Sequence, residues 1–295
     1  MVINFKIKQL HSFLLIFAVI IPLLSCSLGV KGIKLTEDEL FNIAQKQIKQ
    51  DFSKTFKGLF REEKFLRTVK LMERLLEEYP ESKYAKRAQL LIGDLYYKKG
   101  GKNLIDAEVE YAAFLKRFPL SDEASYAQYR LGMSLFRQFL DMKPKIKTLD
   151  EFDKIYNETE FYDKYKDKDL KLIKRAADVF ADLAVLYPTC VYVDNSIEYL
   201  EIFSLLFSLQ DLYIAKYYMK MDENIAAYRR LDNILIDCPE TLNEDEIKYL
   251  LGICLWRLNF ENESLKILNQ LHTDAKDPKL KKKIAKTIDE FTKQT

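Results

Sequence analysis

Few residues of this 295-residue chain have the types and spacing that chemistry needs. Histidine, the side chain best placed to move protons near neutral pH, occurs only as His11 and His272. Neither belongs to a Ser-His-Asp set or an H-E-x-x-H motif, and the chain has no C-x-x-C pair. Asp167 and Asp169, in D-K-D, are the nearest approach to paired carboxylates. In a lysine-rich stretch they read more simply as a solvated loop or a helix cap than as an acid–base pair. Gly100-Gly101-Lys102 suggests a phosphate loop, but it lacks the G-x-x-x-x-G-K-[ST] frame and a preceding strand. These absences speak against an enzyme, a cofactor or a metal centre. Two groups remain: the cysteines, and the adjacent arginines Arg229 and Arg230, whose planar guanidiniums can grip a carboxylate bidentately.

Cys26 closes an N-terminal targeting segment. Lys6 and Lys8 form a basic start, and Phe13 to Leu24 is a 12-residue apolar run broken only by Pro22. That run is shorter than the ~20 residues a membrane-spanning helix requires. It ends in L-L-S-C, Leu23 to Cys26, which resembles a bacterial lipobox, where lipid is attached to the Cys thiol and the chain is cut just before it. Residues 1–25 are then a signal peptide, and 26–35 (C-S-L-G-V-K-G-I-K-L) a lipidated tether. Cleavage removes two lysines and no acid, so the net charge falls from +2 to 0. A neutral chain whose longest basic run is Lys281-Lys282-Lys283 gives no electrostatic case for nucleic acid. Cys190, Cys238 and Cys254 read as structural thiols.

The elements that would position any binding surface come from a repeated cassette. Four prolines, Pro80, Pro119, Pro188 and Pro239, each follow the same pattern. Twelve residues before them stand Thr68, Ala107, Ala176 and Ala227; eight before, Met72, Tyr111, Phe180 and Leu231; five before, Leu75, Phe114, Leu183 and Ile234. Thirteen after stand Gly93, Gly132, Glu201 and Gly252. A small residue followed by bulky apolar ones at +4 and +7 marks one face of a helix. Proline ends each helix, and Ser82 and Ser121 are candidate N-caps for the helices that follow.

This pattern resembles the tetratricopeptide repeat, a helix-turn-helix of ~34 residues. The proline spacings of 39, 69 and 51 show that insertions separate the repeats. The expected fold is all-α: an α-solenoid of about five tetratricopeptide-like helix pairs. Repeats are expected over 36–140 and 170–295, on either side of an inserted segment, 141–169, rich in lysine, acids and aromatics. Thr36 with Glu39 has the spacing of a capping box. Phe52, Phe56 and Phe60 form a core stripe, and Gly100-Gly101 marks a turn. Asn195 to Met221 is one long amphipathic run, read most simply as an extended helix pair. Ser264, Leu268 and Leu271 repeat the cassette face after Gly252, and a charged capping helix follows Pro278.

The order of lipobox, tether and five helix pairs is similar to the BamD family of outer-membrane assembly lipoproteins. The agreements are E-E-Y-P-x-S-x-Y from Glu77 to Tyr84, D-K-D from Asp167 to Asp169, and A-K-Y-Y from Ala215 to Tyr218. Leu170 stands where many members have proline, and the 141–169 insertion is enlarged. The resemblance implies a non-enzymatic, lipid-anchored protein on the periplasmic face of the outer membrane. It would scaffold the β-barrel assembly machine and help receive unfolded outer-membrane proteins. Its partner would be the barrel-forming subunit, held by its periplasmic domains through the C-terminal repeats. Arg230 matches an arginine that carries part of that contact in the family, with Arg229 beside it. The rival readings are a generic periplasmic tetratricopeptide adaptor lipoprotein of cell-envelope or division type, and a substrate-binding enzyme subunit built of helical repeats.

Overall fold

The computed structural model describes residues 34–49, 59–141, 167–237 and 244–293. The signal peptide, Cys26, Phe52, Phe56, Cys238 and residues 142–166 of the inserted segment lie outside them. Every regular element among the described residues is a helix, as the cassette periodicity predicts. The chain divides into two compact units, 1–85 and 86–295.

In the first unit, α1 (Glu37–Lys49) packs on α2 (Leu59–Glu78). The capping box at the start of α1 is formed. The Thr36 N–H donates to Glu39 Oε2 at 2.9 Å, and the Glu39 N–H donates to Thr36 Oγ1 at 3.3 Å. Leu40 and Ala44 are buried, and Phe41 stacks on Tyr84 with centroids 4.3 Å apart. Thr68 takes the small-residue position of its cassette although it is polar. It is fully buried, and its hydroxyl donates to Gln47 Oε1 at 2.7 Å, so no polar atom is stranded there. The other signposts of this cassette, Met72 and Leu75, are fully buried.

Among the described residues of the second unit nine helices follow one another: α3 (Ala85–Lys99), α4 (Asn103–Arg117), α5 (Ala124–Asp141), α6 (Lys171–Leu186), α7 (Val193–Lys220), α8 (Asn224–Asp237), α9 (Glu244–Arg257), α10 (Glu261–Asp274) and α11 (Pro278–Thr292). From α4 onward each packs on the next. Eleven helices are thus described, the number that five helix pairs and a final helix require. The long run expected as an extended helix pair is instead one continuous helix, α7, of 28 residues, with no proline or glycine to break it. Gly100 and Gly101 turn the chain between α3 and α4 with φ of +70° and +56°, a region that glycine enters without strain. Ser82 and Ser121 cap the turns just before their helices. Their hydroxyl oxygens accept the N–H of Tyr84 at 3.0 Å and of Glu123 at 3.4 Å. Pro278 is the first residue of α11 rather than a break ahead of it. Asp277 caps that helix by accepting the Lys279 N–H at 2.9 Å.

The cassette positions become the contacts between successive helices. Ala107, Ala176 and Ala227 are fully buried, as are Tyr111, Phe180 and Leu231. The glycine of one helix meets the bulky residue of the next. A Cβ on Gly93 would lie 2.9 Å from the Tyr111 ring, one on Gly132 2.5 Å from Phe180, and one on Gly252 2.7 Å from Leu268. Each glycine is therefore the surface on which a neighbouring side chain rests. Leu268 occupies its place because Ser264, Leu268 and Leu271 form a fifth cassette face, and Ser264 donates to the Gly252 carbonyl at 2.7 Å. Glu201, the exception at the glycine position, is exposed.

Candidate functional site

The chemistry-bearing residues noted in the sequence separate in the structure into structural groups and one surface. Asp169 is a cap: its carboxylate accepts the Lys171 N–H at 2.9 Å at the start of α6, while Asp167 pairs with Lys168. Cys190 and Cys254 are free thiols, and burial pushes the Cys254 thiol up to about 11, which keeps it protonated and inert. No cluster of His, Cys, Asp and Glu fit to hold a metal occurs among the described residues. No described helix is long and apolar enough to cross a membrane.

The surface lies on α7 and α8. Ala227, Leu231 and Ile234 turn inward from α8. Arg230, one residue before Leu231, is swung about 100° from it to the helix flank. There its Nη1 donates to Asp211 Oδ1 on α7, and the side chain remains 40% exposed. The guanidinium is thus already held by a carboxylate of its own chain, with further N–H donors left over. Arg229 is exposed. The A-K-Y-Y motif divides its tasks. Ala215 is buried, Lys216 pairs with Glu246 of α9 at 2.8 Å, Tyr218 packs on the core, and Tyr217 stays exposed. Tyr213, one turn earlier, and Met221, just past the helix, are exposed as well. Tyrosine and arginine are the residue types that dominate binding energy at protein interfaces, and α7 and α8 expose both. At the far end of α9, Arg257 donates to the Met219 carbonyl at 3.1 Å and locks the α7–α8 turn, where Asp222 has φ of +61°.

A second polar cluster, between α3 and α5, escaped the sequence reading. Asp94 Oδ1 accepts the hydroxyls of Tyr111 at 2.7 Å and Tyr126 at 2.6 Å. Burial, reinforced by Asp94, raises both phenols, that of Tyr126 to about 12, so both remain hydroxyl donors at neutral pH. Arg130 and Arg137 both lie over the ring of Tyr97. These residues are up to 43 positions apart and follow no motif. The one available signal was the i, i+7 spacing of two arginines along α5.

Fold and surface together define a helical-repeat protein of the tetratricopeptide class with a candidate docking face. The sequence profile of the YfiO outer membrane lipoprotein family matches residues 44–262, so the chain belongs to that family. The outer membrane protein assembly factor BamD of Neisseria meningitidis is 27% identical over 195 residues, which cover 66% of this chain and 67% of the relative. The protein of the same name from Neisseria gonorrhoeae is 27% identical over 196 residues, with the same coverage. Among solved structures, an assembly chaperone of RpL4 aligns over 88% of this chain and 99% of its own at 14% identity, but its TM-score of 0.23 is too low to bear on the fold.

Proposed function

We propose that this chain is a lipid-anchored subunit of the outer-membrane β-barrel assembly machine. The observation that carries the reading is the family match across residues 44–262, joined to relatives named as outer membrane protein assembly factors. The protein is a scaffold, not a catalyst. It sits on the periplasmic side of the outer membrane, holds the barrel-forming subunit by its periplasmic domains, and helps receive unfolded barrel proteins. Cys26 carries the lipid that attaches it, since L-L-S-C closes the apolar leader. More than one acyl chain is needed for stable anchoring. Intact-mass measurement of the mature chain should exceed the bare polypeptide from Cys26 onward by a lipid increment, and the bare mass would contradict the assignment.

The C-terminal repeats dock the barrel-forming subunit, with Arg230 and Arg229 in the contact. The exposed Tyr213 and Tyr217 on the neighbouring helix α7 support this reading. The in-chain pair with Asp211 shapes the test, because Arg230→Glu would also set two carboxylates against each other. We expect Arg230→Glu to lower recovery of the barrel-forming subunit about tenfold, equivalent to ~1.4 kcal/mol. Arg230→Glu/Asp211→Asn, which removes the internal repulsion, should lose as much, and Asp211→Asn alone should bind normally. Recovery restored in the double variant would assign the loss to the fold and take Arg230 out of the interface.

A further inference from the structure

Tyr97 is 7% exposed, and its hydroxyl is buried with no hydrogen-bond partner. Buried hydroxyls are normally satisfied, so an orphan of this kind requires a physical reason. The guanidinium carbon of Arg130 lies 4.3 Å from the centre of the Tyr97 ring and that of Arg137 4.5 Å from it. Arg130 Nε donates to the Tyr126 hydroxyl at 3.0 Å, and Arg137 Nη1 donates to the Tyr97 carbonyl at 3.0 Å. Both of those acceptors are neutral. Neither arginine pairs with a carboxylate among the described residues. Asp94, the acid of this cluster, already receives two tyrosine hydroxyls on one oxygen.

Stacking of cations on an aromatic face explains the ring but not the hydroxyl, since phenylalanine would stack equally well without an orphaned oxygen. Two half-buried guanidiniums without a counter-charge, together with a free O–H, form instead the complement of a negatively charged oxygen. The backbone is shaped to seat one of them. Gly100 has φ of +70°, and a Cβ there would come within 3.1 Å of Arg137 Nη2. We propose that Tyr97, Arg130 and Arg137 form a binding site for a single oxyanion, a carboxylate or a phosphate group. This site is separate from the α7–α8 surface and independent of the assembly role.

The test is thermal unfolding of the detergent-solubilised full-length chain, titrated with inorganic phosphate or with acetate at constant ionic strength set by sodium chloride. The site predicts a saturable rise in midpoint of about 2–4 °C with at least one of the two anions. Phosphate as the active anion assigns a phosphoryl ligand, and acetate a carboxylate. Tyr97→Phe, which keeps the stacked ring and so the fold, should reduce the rise, and Arg137→Gln should abolish it. No saturable rise with either anion overturns the proposal. So does a rise of undiminished size in both variants.

Discussion

Phe180→Ala should destabilise residues 86–295 by about 3–5 kcal/mol, the range for removing a fully buried phenyl ring. Phe180 has no exposed surface and stands where three helices converge. From α6 it rests on Gly132 of α5, stacks on Tyr199 of α7 with centroids 5.6 Å apart and planes 15° apart, and lies 6.2 Å from Phe203 and 5.9 Å from Tyr129. Truncation would open a void walled by rings that are themselves held by neighbours, so little relaxation can fill it. Urea unfolding should show the midpoint concentration falling with the slope unchanged. A loss under about 1 kcal/mol would mean that the ring is not the junction between these pairs.

Gly132→Ala should also destabilise, against the ordinary rule. In a helix interior, alanine is favoured over glycine by about 1 kcal/mol. At Gly132 the new methyl would lie 2.5 Å from Phe180 Cε1 and 2.8 Å from Cδ1. The ring cannot swing aside because Tyr199 and Phe203 stack beside it, so overpacking should outweigh propensity and leave a net loss of about 1–3 kcal/mol. Gly252→Ala is the internal comparison. Its contact is the flexible side chain of Leu268, so its loss should be smaller. The Gly132→Ala/Phe180→Leu double variant should be more stable than the sum of the single changes, because the two residues share one contact. A Gly132→Ala protein as stable as wild type would show that the two helices do not approach closely there.

The sequence disclosed these positions but not their relation. A small residue, two bulky apolar residues and a glycine stand at fixed offsets, and every described one except Glu201 proved buried. That the glycine of one helix receives the bulky side chain of the next is a tertiary fact. Gly132 and Phe180 are separated by an insertion that no periodicity bridges. The capping box at Thr36 was legible because its bonds join residues three apart. The pairing of Arg230 with Asp211 was not, because the two lie nineteen residues apart on different helices. The arginine pair around Tyr97 was hidden for the same reason, and because arginines in a chain rich in both charges ordinarily mark solvated faces. The lipid anchor stands on sequence alone, since Cys26 lies outside the described residues.

The assembly role rests on one association. Full-length chain carrying a C-terminal tag should be solubilised from native envelope membranes in mild detergent and affinity-purified at physiological salt. The proposed role predicts that a β-barrel membrane protein with several small periplasmic domains is recovered with it in near-stoichiometric amount. Recovery of the lipidated chain without any such protein would contradict membership in a barrel-assembly machine and favour an envelope adaptor built on the same repeats.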